Sequence, residues 1–132
     1  MDQSRSPHSY FWDVLTFVLP GDQAVGIDLC NHVPIMWPCS PLKVVASCKT
    51  APVGADLKYK LYLVHNGVPT ELIAQDTYNY ELIIGDAMTA GLATAFEVGA
   101  IAIDDYIRID CTSVGSTTPG ADVTIRLQMR TP

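Results

Sequence analysis

Three histidines, four cysteines and a set of aspartates carry whatever chemistry this 132-residue chain could perform. A side-chain nucleophile needs a base beside it, and the base needs a third group to orient it. His8 lies in a polar opening stretch, His32 in a loop and His65 at a turn, and no G-x-S-x-G elbow accompanies them. All three read as solvated loop histidines. Cys30, His32, Cys39 and His65 are donor types that zinc accepts, but closed zinc sites come with tight C-x-x-C pairs. Cys30-x-His32 is too short for that, and the other donors are scattered. Asp104, Asp105 and Asp110 contain the carboxylates an acid/base pair would need. In extended chain Asp104 and Asp105 point to opposite faces, and Asp110 falls on the polar phase of its strand, so they read as a solvated face. The glycine-bounded GDAMTAG (85–91) lacks the Lys-Ser/Thr that completes a phosphate-cradling loop. The expectation is a non-enzymatic chain with no cofactor and no metal.

What positions these residues is a series of short strands. The β-branched and aromatic run from Asp13 to Leu19 stops at Pro20-Gly21. Val25, Ile27 and Leu29 alternate with Gly26, Asp28 and Cys30, which predicts a second strand. VPIMWPCSP (33–41) contains three prolines that cannot donate to a ladder, and reads as edge strand or loop. Leu42 to Lys49 and Leu57 to Leu63 alternate strictly. His65-Asn66-Gly67-Val68 follows as a hairpin turn, and Glu71 to Ala74 returns as a strand. Tyr80 to Ile84 reads as a strand, Asp86 to Ala93 as one helical turn weakened by Gly91, and Ile107–Cys111 and Val123–Met129 as the last strands. About eight or nine strands at spacings of roughly 10–12 residues, with no sustained helical period, predict an all-β fold. The expected architecture is a single-domain antiparallel β-sandwich, jelly-roll-like, over residues 12–132. Residues 1–11 (MDQSRSPHSYF) would form a short N-terminal arm. Cys48 and Cys111 fall on the apolar phase of their strands and read as buried free thiols.

Composition bounds the partners. Apolar residues make up 48% of the chain and charged residues 17%, against about 25% charged in a typical domain. So little charge on a small body implies surface hidden by self-association or by docking onto a larger assembly. The net charge of −6 repels phosphate, and the eight basic residues are scattered singly, so nucleic acid is not an expected partner. No apolar stretch approaches the roughly 20 residues of a membrane helix. FWDVLTFVLP (11–20) is interrupted by Asp13 and reads as a strand rather than a secretory signal, which argues for synthesis in the cytoplasm. Tyr10, Phe11, Trp12 and Trp37 lie where the chain is least committed to the core, and are the candidate partner-binding anchors.

One phrase occurs twice. TAPVGADLKYKLYL (50–63) and STTPGADVTIRLQM (116–129) each place proline, then Gly-Ala-Asp, then strict alternation. Each follows a strand ending near a cysteine, and reads as strand, wide turn, strand: two related hairpins at one end of the sandwich. Asp56 and Asp122 would bond nearby backbone amides where the next strand begins; as calcium ligands they have too few oxygens around them.

TAPVGADLKYKLYLVHNG, followed later by DDYIRIDCTSVGSTTPGADVTIRL, resembles a β-sandwich module of tailed-bacteriophage virion proteins over roughly residues 25–130. In that family T-A-P-x-G-A-x starts a strand that leads to an N-G hairpin, and the chain ends in V-G-S-T-x-P-G-x-D-L-T-V. A Gly-Asp pair usually precedes the penultimate strand; here the position reads Ile103-Asp104-Asp105-Tyr106. The module occurs in head fibres, tail fibres and capsid decoration proteins. The resemblance implies a virion structural protein on the capsid surface, with the major capsid protein and further copies of itself, as a trimer, for partners. A single domain without fibrous repeats favours a decoration (auxiliary head or cement) protein. A fibre module that recognises a host glycan or protein is the alternative.

Overall fold

A computed structural model describes residues 12–131. They form eight strands: β1 (Trp12–Asp22), β2 (Ser40–Thr50), β3 (Leu57–His65), β4 (Val68–Glu71), β5 (Leu82–Ile84), β6 (Ala90–Ala93), β7 (Tyr106–Ser113) and β8 (Ala121–Arg130). The chain is an all-β antiparallel sandwich. One sheet has the order β1-β8-β2-β6. In the other, β7 takes one edge of β3, and β4 and β5 share the opposite edge at different heights.

Strict alternation builds the core. Phe17, Val44, Val123, Ile125 and Leu127 point inward from the first sheet, and Leu57, Tyr59, Leu61, Ile107 and Ile109 from the second, all buried. Apolar faces of two sheets meet because neither can leave its face in water. The polar groups between the sheets at Tyr59 are paired. Tyr59 donates its hydroxyl hydrogen to the buried Gln23 side-chain oxygen, and Gln23 Nε2 donates to the Leu19 and Gly21 carbonyls.

Irregular straps close both open sides. Residues 23–39 run along the outer edge of β7: Gly26 and Cys111 exchange backbone bonds of 3.1 and 2.8 Å, and Leu29 donates to Ile109 at 2.9 Å. Residues 94–101 run along the other side, with Glu97 donating to Leu72 and Ile101 exchanging bonds with Cys39. The 25–29 strap occupies the place of an outer strand in the second layer. The chain stays in the second layer through β3, β4 and β5, and otherwise alternates between layers from β1 to β8.

Four expectations need correction. Residues 25–30 do not form a regular strand: four residues from Gly26 to Leu29 oppose three from Ile109 to Cys111, which breaks the ladder. Its phase is also inverted, with Val25 and Ile27 64% and 73% exposed while Cys30 packs on the core. No helical turn occurs over 86–93; Asp86–Thr89 is a turn into β6, because Gly91 must pair with Ala46 on β2. The repeated phrase builds arches rather than hairpins. β2 and β8 belong to one sheet and β3 and β7 to the other, so each copy carries the chain from layer to layer. Asp56 and Asp122 bond amides distant in sequence rather than nearby ones.

The two arches lie at the same end and are bonded to each other. Val53 donates to the Thr118 carbonyl at 2.9 Å, and its own carbonyl accepts from Thr117 (2.9 Å) and Thr118 (3.2 Å). Gly54 and Gly120 hold nearly identical φ values, +94° and +93°, so the shared Gly-Ala-Asp encodes a shared left-handed bend. The carboxylates then tie neighbouring loops. Asp56 accepts from Asp86 N–H and Asp122 from Gly21 N–H, while Asp86 accepts from Gly54 N–H. The His65-Asn66-Gly67-Val68 hairpin turn is present as read, with φ of +50° at Asn66 and +78° at Gly67.

Two glycines are required by close approach. A Cβ on Gly115 would sit 1.9 Å from the Thr118 carbonyl oxygen, and one on Gly91 2.0 Å from that of Ile83. Gly115→Ala and Gly91→Ala should each destabilise the fold by about 2–3 kcal/mol or more through backbone displacement. Gly67→Ala, with open space around it, should cost only about 1 kcal/mol for its left-handed φ. Urea unfolding midpoints of the three variants check the order.

Candidate partner-docking surface

The end opposite the arches is built from the β3–β4 hairpin, loop 101–105 and the proline-punctuated segment 33–39. Ile35 donates to Asp105 at 2.8 Å and Asp104 to Ile35 at 2.9 Å; Cys39 and Ile101 pair beyond them. Asp105 locks the parts together. Its side chain is buried and accepts from Ala102 N–H at 2.9 Å, and its other oxygen lies 2.6 Å from His65 Nδ1 on the hairpin. His65 Nε2 faces the Asn66 side-chain amide at 3.3 Å. A catalytic dyad would present that nitrogen to a nucleophile; here the pair fastens a hairpin to a loop.

The fastened segments present apolar side chains outward. Trp37 is 42% exposed, Met36 71%, Ile103 53% and Val68 62%. Proline explains why. Pro34 and Pro38 prevent a continuous ladder across 33–39, so alternate residues cannot all turn inward. Behind them a groove lined by Leu15, Val33, Ile35, Trp37, Cys39 and Met129 lies at the start of β1. An apolar hollow of about 370 Å³ beside Pro38, Ala100, Ile101 and His65 continues the patch.

Of the four aromatic anchors read from sequence, Trp37 is on this end. Trp12 opens β1 at the same end, its backbone paired to Arg130, which pairs in turn with Ser40, three residues after Trp37. Tyr10 and Phe11 lie outside the described residues. Met36, Val68 and Ile103 escaped the sequence reading. PIMWP carried the signal, since apolar residues between prolines have no ladder to bury them.

The other candidate chemistry is dispersed. Cys30, His32, Cys39 and His65 do not converge: His32 bonds Asp28 at 2.7 Å and stacks on Tyr106 at 4.0 Å, while Cys39 meets the Met129 sulfur at 3.5 Å. Among the described residues no cluster of three or more His, Cys, Asp or Glu has metal-site geometry. Asp110 is not solvated, as its polar phase suggested. It is buried, takes a forked pair of bonds from Arg108 (3.1 and 2.9 Å) and accepts from Asp28 N–H. That bonding raises the Arg108 pKa above its usual value. Arg108 also lies over the Tyr62 ring at 4.6 Å.

No family model matches the chain, and no curated protein sequence matches it. Among solved structures it is similar to a chain of the cyanophage Pam1 capsid asymmetric unit. The TM-score is 0.51 at 13% identity, over 100% of both chains. At that identity the likeness is one of fold.

Asp105→Ala should lose about 2–3 kcal/mol in chemical unfolding, because it leaves the Ala102 amide without its acceptor, releases the His65 ring from the loop and opens a void. All four cysteines are free, and burial raises the thiol pKa of Cys30, Cys48 and Cys111. A raised pKa means less thiolate at neutral pH and slower alkylation. Mass spectrometry after iodoacetamide treatment should find the half-buried Cys30 modified first, with Cys48 and Cys111 about tenfold slower until the protein is unfolded.

Proposed function

We propose that this chain is a non-enzymatic structural protein of a phage particle, a decoration protein that binds the capsid exterior and stabilises it. The observation that carries the reading is the likeness in fold, end to end, to a chain solved in a phage capsid asymmetric unit. The sequence resemblance to a virion β-sandwich module supports it independently. The exposed end around Trp37 and Met36 supplies what docking requires: large apolar side chains on a rigid frame, fastened by Asp105 and flanked by prolines. Binding of the chain to the assembled shell and not to free subunits would stabilise the shell by mass action.

In this reading the protein is made in the host cytoplasm and resides on the capsid surface. Its partners are the major capsid protein and further copies of itself, as a trimer. Tyr10, Phe11, Trp12 and Trp37 are its proposed anchors, and residues 1–11 an arm that reaches a neighbouring capsomer. The polar arch loops, held on a rigid sandwich, would suit recognition of a host glycan or protein if the chain belonged to a fibre.

Purified protein added to undecorated capsids should sediment with them, and should leave host cells unbound. Binding to cells and not to capsids would transfer the chain to a fibre. Trp37→Ala and deletion of residues 1–11 should each weaken capsid attachment about tenfold or more, with circular dichroism unchanged. Full occupancy by both variants would remove these residues from the contact.

A further inference from the structure

The two outward sheet faces differ in how they handle charge. On the face of β3, β7 and β4, cations are answered locally. Lys60 meets Glu71 at 3.2 Å, Lys58 meets Glu81 at 3.9 Å, and Arg108 is paired to Asp110. On the face of β1-β8-β2-β6, Asp122 is an outward carboxylate of β8 at the arch end, and the cations Lys43 and Arg126 lie away from it. Outward positions on β8 from Thr124 onward are Thr124, Arg126, Gln128 and Arg130. On β2 they are Lys43, Val45 and Ser47, and on β1 Val14, Thr16 and Val18. None is acidic, in a chain of net charge −6. Lys43 and Arg126 have no ion-pair partner among the described residues. The ladder brings them close: Arg126 lies opposite Val45, and Lys43 opposite Gln128. Between them is a depression of about 290 Å³ lined by Val14, Lys43, Val45, Ser47, Arg126 and Gln128.

We infer that this face docks an acidic protein surface, seating a partner carboxylate in the depression between Lys43 and Arg126. The inference rests on the virion reading in one respect, that the partner belongs to the capsid shell. Charge complementarity selects the occupant. Two cations above a valine floor, with Ser47 and Gln128 able to hydrogen-bond, suit a carboxylate on a short apolar stem. Nucleic acid is the poorer fit, because none of the residues lining the depression is aromatic and the net charge of −6 repels phosphate. A second copy placed face to face is also disfavoured, since a twofold contact would set these cations against themselves.

The test compares wild type, K43E/R126E and the control K58E, which reverses a cation on the other face. Each is mixed with undecorated capsids and sedimented, with circular dichroism verifying the fold. Wild type should bind, and should weaken as salt rises from about 0.05 M to about 0.5 M. K43E/R126E should bind about tenfold or more weakly, and K58E within about twofold of wild type. In decorated particles, carbodiimide coupling should join Lys43 to a capsid carboxylate. If wild type fails to bind capsids, the virion reading falls and this inference with it. If wild type and K43E/R126E bind alike, the face inference alone is overturned. Retention of wild type, but not K43E/R126E, on a DNA fragment would assign the face to nucleic acid instead. A change of oligomeric state in K43E/R126E during sedimentation would assign it to a second copy.

Discussion

The mutual bonding of the two arches governs the rest of this structure. Val53 donates to Thr118 and accepts from Thr117 and Thr118, so both layer-to-layer crossings are held at one end and at one height. Gly115 makes this possible, because no side chain could sit so near the Thr118 carbonyl. Once the crossings are joined, the strands leaving them have little choice. Leu57 and Val123 are the first core residues after each Gly-Ala-Asp; Tyr59 and Ile125, then Leu61 and Leu127, follow in step, all fully buried. A slip of one residue in either strand would turn its whole apolar set to water. The repeat is thus a register device, and its aspartates extend it by holding the 85–88 turn and the end of β1.

Fixing one end decides the character of the other. The arch end is rich in glycine, threonine and aspartate, and these side chains satisfy backbone groups. The opposite end must receive the hairpin, the 101–105 loop and the 33–39 segment without a ladder long enough to order them. Asp105 supplies that order through one buried carboxylate shared by Ala102 N–H and His65. The consequence is a rigid end whose leftover side chains, Met36, Trp37, Val68 and Ile103, are apolar and outward. Such a patch is costly for an isolated molecule and useful to one that is covered in service.

Much of this was legible in the sequence where local signals and burial agree. Strict alternation over 42–49, 57–63 and 123–129 gave strands and core, and Asn66-Gly67 gave its turn. The failures have a common cause. Val25, Ile27 and Leu29 alternate perfectly, yet alternation cannot say which phase faces the core, and the strap's broken pairing with β7 turned the apolar phase outward. Arches and hairpins share turn chemistry, so the repeated phrase could not reveal that β2 and β3 lie in different sheets; only long-range pairing decides that. Asp110 sits on a polar phase but is enclosed by Arg108 and the strap, contacts that no local window contains. Of the anchors, Trp37 was readable from its prolines, whereas Met36 and Ile103 acquire meaning only when loop 101–105 pairs with segment 35–39.

The same pairing explains how the basic face and the apolar end relate. Eight basic residues look scattered along the chain, but β2 and β8 are hydrogen-bonded neighbours, and their outward phases bring Lys43, Arg126 and Arg130 onto one surface. That surface meets the apolar end where Ser40 pairs with Arg130 and Trp37 lies three residues upstream. The two features therefore border one another around the start of β2. Apolar anchors contribute most of an interface's affinity, while charges at its margin set orientation and association rate. A single footprint joining Trp37 and Met36 to the Lys43–Arg126 depression would combine both effects. It would leave the self-neutralised face of β3 and β7, with its paired charges, turned to solvent.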